Sequence, residues 1–166
     1  CSGPRVGPER TTNWIRTEGQ RQKERTAFDL LLWTGQRSAD VRVMGRGSIT
    51  SGRIALRQSK TENSVDIPIP PALVRSLATL APERLLFLLD KNGKPYTEST
   101  FSHFMRAAIK AAGLVGRTPH GLRKSACVRL ADAGCSALQI RAVSGHRSLQ
   151  ECEKYVVEAN RRRLAV

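Results

Sequence analysis

The sequence predicts an α+β domain, mainly helical, with a small three-stranded antiparallel sheet. Two observations carry this. Strict apolar–polar alternation of period two occurs at residues 53–58 and 64–69, separated by a short polar turn. On either side, apolar residues recur at helical spacing, punctuated by proline at starts and glycine at stops.

The elements follow in order. Residues 1–12 are rich in Gly, Pro, Arg and Thr and are expected to form a flexible arm or linker remnant, with the domain proper at 13–166. A helix is expected over 21–33, with Ala27, Phe28, Leu31 and Leu32 on its apolar face, ending at Gly35. A short strand near 48–50 would complete the sheet begun by the hairpin, and Pro68 places the last strand at an edge. Pro71 opens a helix to residue 80, because a first turn tolerates the missing N–H. Residues 91–95 read as a turn. Residues 98–112 carry a stripe of Phe101, Phe104, Met105, Ala108 and Ile109 that reads as core. Three more helices are expected over 120–133, 136–143 and 148–161, with Gly134 and Gly145 between them and Ser148 capping the last.

Charge decides the class of partner. In 166 residues, 28 Lys and Arg face 14 Asp and Glu, a formal net charge of +14. Such an excess favours polyanions and points to nucleic acid. No run of apolar residues suits a membrane span, and no leader is visible at the start, which reads as a fragment boundary. The cysteines Cys1, Cys127, Cys135 and Cys152 show no metal-ligand spacing. Cys127 and Cys135 are expected to act as small hydrophobes in a reducing, cytoplasmic compartment.

The chemistry-bearing residues fall in five segments. Thr34-Gly35-Gln36-Arg37 puts an arginine just past a helix stop, with Asp40 three residues on, able to buttress it or simply begin the next turn. Lys60 sits at the hairpin tip, where a flexible ammonium can reach a leaving oxygen. His120 and Arg123 are three apart at a helix start, hence on one face, near free amides that suit an anion. His146 follows Ser144-Gly145, and Tyr155 lies two turns into the final helix. Arginine forks and imidazoles beside a phenol suit a phosphate, and cations ease formation of phenolate. The acidic residues are scattered, so no metal cluster of the two-metal nuclease kind competes, no cofactor is called for, and no Gly-x-Ser-x-Gly elbow is present.

This ordered set resembles the catalytic domain of the tyrosine recombinases, the phage-integrase family: Arg37, Lys60, His120-x-x-Arg123, His146 and, nine residues later, Tyr155. The resemblance covers roughly residues 20–160. It implies site-specific DNA recombination or integration by metal-free cleavage and religation of double-stranded DNA through a 3′-phosphotyrosyl intermediate. By the same resemblance Tyr155 is the nucleophile, Arg37 and Arg123 clamp the non-bridging oxygens, and His146 donates a further hydrogen bond. His120 assists proton transfer, Lys60 is the acid for the 5′-oxygen, and Asp40 supports the first arginine. It further implies a homo-oligomer, a tetramer, on DNA and a monomer when free. The separate N-terminal core-binding domain of such proteins is absent from this sequence, and only a short segment follows Tyr155 to exchange with a neighbour. Two alternatives stand beside this reading: a catalytically silent DNA-binding module, and type IB topoisomerase-like relaxation.

Overall fold

The computed structural model describes residues 17–165; the arm expected over 1–12 and Cys1 lie outside them. Helix α1 spans Glu18–Thr34 and α2 Ser38–Val41, followed by a 3-10 turn, Arg46–Ser48. The sheet comprises β1 (Ile49–Thr50), β2 (Arg53–Arg57) and β3 (Ser64–Pro68). Five helices complete the chain: α3 (Pro71–Ala78), α4 (Glu98–Ala111), α5 (Pro119–Asp132), α6 (Ala137–Ser144) and α7 (Leu149–Leu164).

Local chemistry accounts for the boundaries. The Thr17 hydroxyl accepts from the Gln20 amide at 3.2 Å and starts α1, and Gly35, at φ 65°, stops it. Capping boxes at Thr97/Thr100 and Ser136/Gln139 start α4 and α6. Pro71 and Pro119 occupy first-turn positions of α3 and α5. Ser148 stands at the start of α7, but its side chain makes no capping hydrogen bond there, so the expected cap is positional only.

The sheet is antiparallel in the order β1-β2-β3, which leaves β3, with Pro68, at an edge. Register puts Ile54 opposite Ile67 and Leu56 opposite Val65. These pairs face inward, and burial along β3 alternates accordingly.

Two hydrophobic cores result. The first gathers α1, α2, the sheet, α3 and α4 around Leu30, Leu31, Met44, Ile54, Leu73 and Phe101. The second lies among α5, α6 and α7 and contains Cys127, Ala131, Ile140, Cys152 and Ala159, with Cys135 packed against it. Helix α1 packs on α5 at the seam between them, where the Arg129 guanidinium lies 3.7 Å over the Trp33 ring.

Two expectations are corrected. Phe28 is exposed, and Leu30 takes the buried place on α1, because the face pressed on the core includes positions 27, 30, 31 and 34. On α4, Phe101 and Met105 are core, whereas Ala108 and Ile109 are only half-buried and line a cavity of about 690 Å³ with Phe28 and Leu122. No helix among the described residues is long and apolar enough to cross a membrane.

Candidate functional site

Arg123 is the centre of the site. It lies one turn into α5 and is 3% exposed, an unusual place for a guanidinium. Its Nη1 donates to the Gly35 carbonyl at 2.7 Å, while its buried Nη2 has no partner among the described residues. Burial first, and then the Arg37 charge, lowers its pKa, with Cys127, Tyr155 and Asp40 opposing. The structure thus holds a buried guanidinium with an unpaired donor, its charge opposed by that of Arg37.

Arg37 is half-buried at the start of α2, and its Nη1 points to Gln58 Oε1 at 3.4 Å. Asp40 does not hydrogen-bond the Arg37 side chain. Its Oδ1 accepts instead from the Ser59 amide at 2.8 Å, and its Oδ2 is buried without a partner among the described residues. The carboxylate therefore anchors the β2–β3 hairpin. Lys60 is exposed at that hairpin's turn, between two residues that are held: Ser59 by Asp40, and Thr61, whose hydroxyl donates to Gln58 Oε1 at 2.6 Å.

His120 lies exposed in the first turn of α5, close enough to His146 for their charges to oppose each other. His146 follows the αL residue Gly145 in the α6–α7 turn. Its pKa is pushed down to about 4, first by burial, then by Arg123, with Arg37 and His120 adding to this and Glu151 resisting. The imidazole is neutral at pH 7. Its Nδ1 lies 2.6 Å from Ser144 Oγ, which also lies 2.7 Å from the Ile140 carbonyl. Ser144 has one hydroxyl proton for these two acceptors, so the imidazole tautomer follows the rotation of that hydroxyl.

Tyr155 is half-buried on α7 and packs on the second core. Burial, with the neighbouring Cys127, raises its pKa, and Arg123 opposes the rise without overcoming it. The expected easing by cations is present but is outweighed, and the phenol stays protonated at neutral pH. Arg123 lies within electrostatic reach of both Arg37 and Tyr155, and His146 within reach of Arg123, Arg37 and His120, so the five are linked through Arg123 and His146. Lys60 stays outside that set, tethered to it through its sequence neighbours.

The family model of the phage integrase family matches residues 9–162, nearly the whole chain. The chain belongs to the phage integrase family.

Solved structures agree on the fold. A lambda integrase fragment, described as a dimer bound to a core site, superposes with a TM-score of 0.68 at 24% identity, covering 81% of this chain and 52% of that one. Lambda integrase described as a tetramer bound to a Holliday junction gives 0.63 at 27%, covering 76% and 41%. The XerA recombinase gives 0.68 at 17%, covering 91% and 64%. No curated protein matches the chain. The chain spans about half the length of the integrase structures it matches. This integrase-family member therefore has the tyrosine recombinase catalytic-domain fold.

Sequence reasoning missed the residues that knit the site together. Gln36 and Gln58 are 0% and 1% exposed, and both lie at the seam. Gln58 Nε2 donates to Gln36 Oε1 at 2.5 Å and to the Ser144 carbonyl at 2.8 Å, and Gln36 Nε2 donates to the Val143 carbonyl at 2.8 Å. A buried glutamine looks like any surface glutamine in a sequence. The one signal is adjacency: each stands next to, or two residues from, a candidate cation. Among the described residues no group of three His, Cys, Asp or Glu is placed to hold a metal ion.

Proposed function

We propose that this chain is the catalytic domain of a site-specific recombinase that cleaves and rejoins double-stranded DNA through Tyr155. The observation that carries the reading is Arg123, buried beside Arg37 with one guanidinium nitrogen unpaired and a phenol nearby. A desolvated guanidinium with a spare donor, beside a second cation, is costly to fold and suits an incoming phosphodiester, whose non-bridging oxygens would satisfy it. The formal charge of +14 supports DNA as the source of that phosphate.

In the proposed reaction Tyr155 Oη attacks the phosphorus and its proton passes toward His120. The P–O5′ bond breaks as Lys60 protonates the departing 5′-oxygen. Arg37 and Arg123 hold the non-bridging oxygens. With the Ser144 hydroxyl turned to Nδ1, the neutral His146 carries its proton on Nε2 and can donate a further hydrogen bond. Attack by a 5′-hydroxyl on the phosphotyrosine reverses each bond change, so no other energy source is required. The family's solved structures on DNA, described as dimer and tetramer, support assembly of several copies on the DNA.

The deciding experiment offers nicked suicide duplexes from a random-sequence pool, in EDTA, to the wild type and to Tyr155→Phe. A covalent adduct on a denaturing gel that needs the phenol supports the reading. A salt-sensitive mobility shift with no adduct from any duplex favours a silent binding module, and relaxation of supercoils without strand exchange favours the topoisomerase-like alternative.

A further inference from the structure

We propose that Gln58, held by Gln36, is a positioning residue that sets Lys60, Arg37 and His146 relative to one another; the inference rests on the tyrosine-recombinase reading above. All four hydrogen-bonding sites of the Gln58 amide are used, and each partner belongs to a segment that bears a candidate catalytic residue. Oε1 faces Arg37 Nη1 at 3.4 Å and accepts from Thr61, the residue after Lys60, at 2.6 Å. Nε2 donates to Gln36 Oε1, the residue before Arg37, and to the carbonyl of Ser144, two residues before His146. The backbone of Gln58 adds to this: its amide donates to the Asn63 carbonyl, and its carbonyl accepts from the Glu62 amide, closing the turn that bears Lys60.

Gln36 extends the linkage by donating to the carbonyls of Thr34 and Val143 at 2.9 and 2.8 Å. The two glutamines thus tie the end of α1, the hairpin and the α6–α7 turn together with directional bonds inside a buried seam. A side-chain amide suits such a junction because it presents donors and an acceptor in one plane and carries no charge to disturb the neighbouring cations. The Gly145 backbone lies against the amide so closely that an added Cβ would collide with it. The fit leaves no slack at the His146 turn.

The test uses Gln58→Met, which keeps volume and removes every side-chain bond, and Gln36→Met, which removes the support and leaves Gln58 itself. Single-turnover cleavage is measured on duplexes with the ordinary 5′-oxygen leaving group and with a bridging 5′-sulfur, which departs without needing a proton. Misplacement of a catalytic group by about 1 Å can cost roughly 10²-fold. A loss of that order on oxygen, partly restored by sulfur, is expected for Gln58→Met, the restored part being the share of Lys60 and the remainder that of Arg37 and His146, with the same pattern, smaller, for Gln36→Met. Equal losses on both substrates would remove Lys60 from the set that Gln58 positions and overturn the proposal. Hydrogen exchange on the same proteins needs no activity: residues 59–63 and 144–148 should both lose protection while α3 and α4 keep theirs. If neither segment changes, the linkage is wrong whether or not the chain cleaves DNA. If the wild type forms no adduct on any duplex, the catalytic reading fails by itself, and the exchange data still decide the linkage.

Discussion

The Ser59 amide donates to Asp40 Oδ1 at 2.8 Å, so the carboxylate nearest Arg37 in sequence holds the hairpin that carries Lys60. The cation at position 37 is steered by a neutral amide instead, that of Gln58. A carboxylate bonded directly to the guanidinium would offset the positive charge that an anion site requires. Used on a backbone N–H, it fixes geometry at a distance from the charge.

Asp40→Ala should leave the Ser59 amide without its partner at a buried site, Asp40 being 4% exposed. The expected cost is about 1–3 kcal/mol of stability, with Asp40→Asn losing less than half as much because an acceptor oxygen remains. Urea unfolding of the two variants checks this, and equal losses would count against the hydrogen bond as the cause.

Gly145→Ala meets two obstacles together, a φ of 67° and the Gln58 amide standing where the new Cβ would go. Gly134→Ala meets only the first, since its φ is 91° and open space surrounds it. Backbone strain alone should cost about 1–2 kcal/mol, and the clash should raise the total at 145 to about 2–4 kcal/mol. Thermal melts of the pair should rank them in that order.

Acid should destabilise the fold through His146. Its folded pKa is about 4 against an ordinary 6.5, so between those values the unfolded chain takes up a proton that the folded chain refuses. Stability contributed by the neutral ring is complete above pH 6.5, is lost as pH falls from 6.5 to 4, and falls no further below. The loss for this group is on the order of 3 kcal/mol. His146→Gln should flatten that window in unfolding titrations, and an unchanged slope would remove His146 as its source.

Arg123 presents the opposite case, a residue whose removal should hardly harm the fold. Arg123→Met gives up the bond to the Gly35 carbonyl but relieves a buried charge and its repulsion from Arg37. Its stability is expected within about 1 kcal/mol of the wild type, whereas Leu30→Ala, at a fully buried aliphatic position, should cost about 2–5 kcal/mol. Denaturant midpoints compare them. A large loss for Arg123→Met would mean that the guanidinium is kept for folding.

The hairpin was legible because Ile54, Leu56, Val65 and Ile67 alternate with polar residues, and the helices because Gly35, Pro71, Gly134 and Gly145 mark their ends. The candidate cations were legible through local motifs. What joins them was not. The partner of Asp40 lies across the hairpin, and Gln58 meets Ser144 far along the chain, pairings that only tertiary structure creates. Phe28 was misplaced because four apolar residues at helical spacing do not say which edge of the stripe faces water. Residues 79–96 carry no clear period, yet they bury Phe87 and Leu88 through isolated bridges such as Gly45 with Leu86.

The two hydrophobic cores divide the candidate site between them. Arg37 and Lys60 stand on the half built from α1, α2 and the sheet, and His120, Arg123, His146 and Tyr155 on the half built from α5, α6 and α7. A subglobal opening along the seam would separate the phenol from Arg37 and Lys60 while each core stays intact. Under mild denaturant or heat, the strand transfer proposed above should therefore disappear ahead of helical content, the seam giving way before either core.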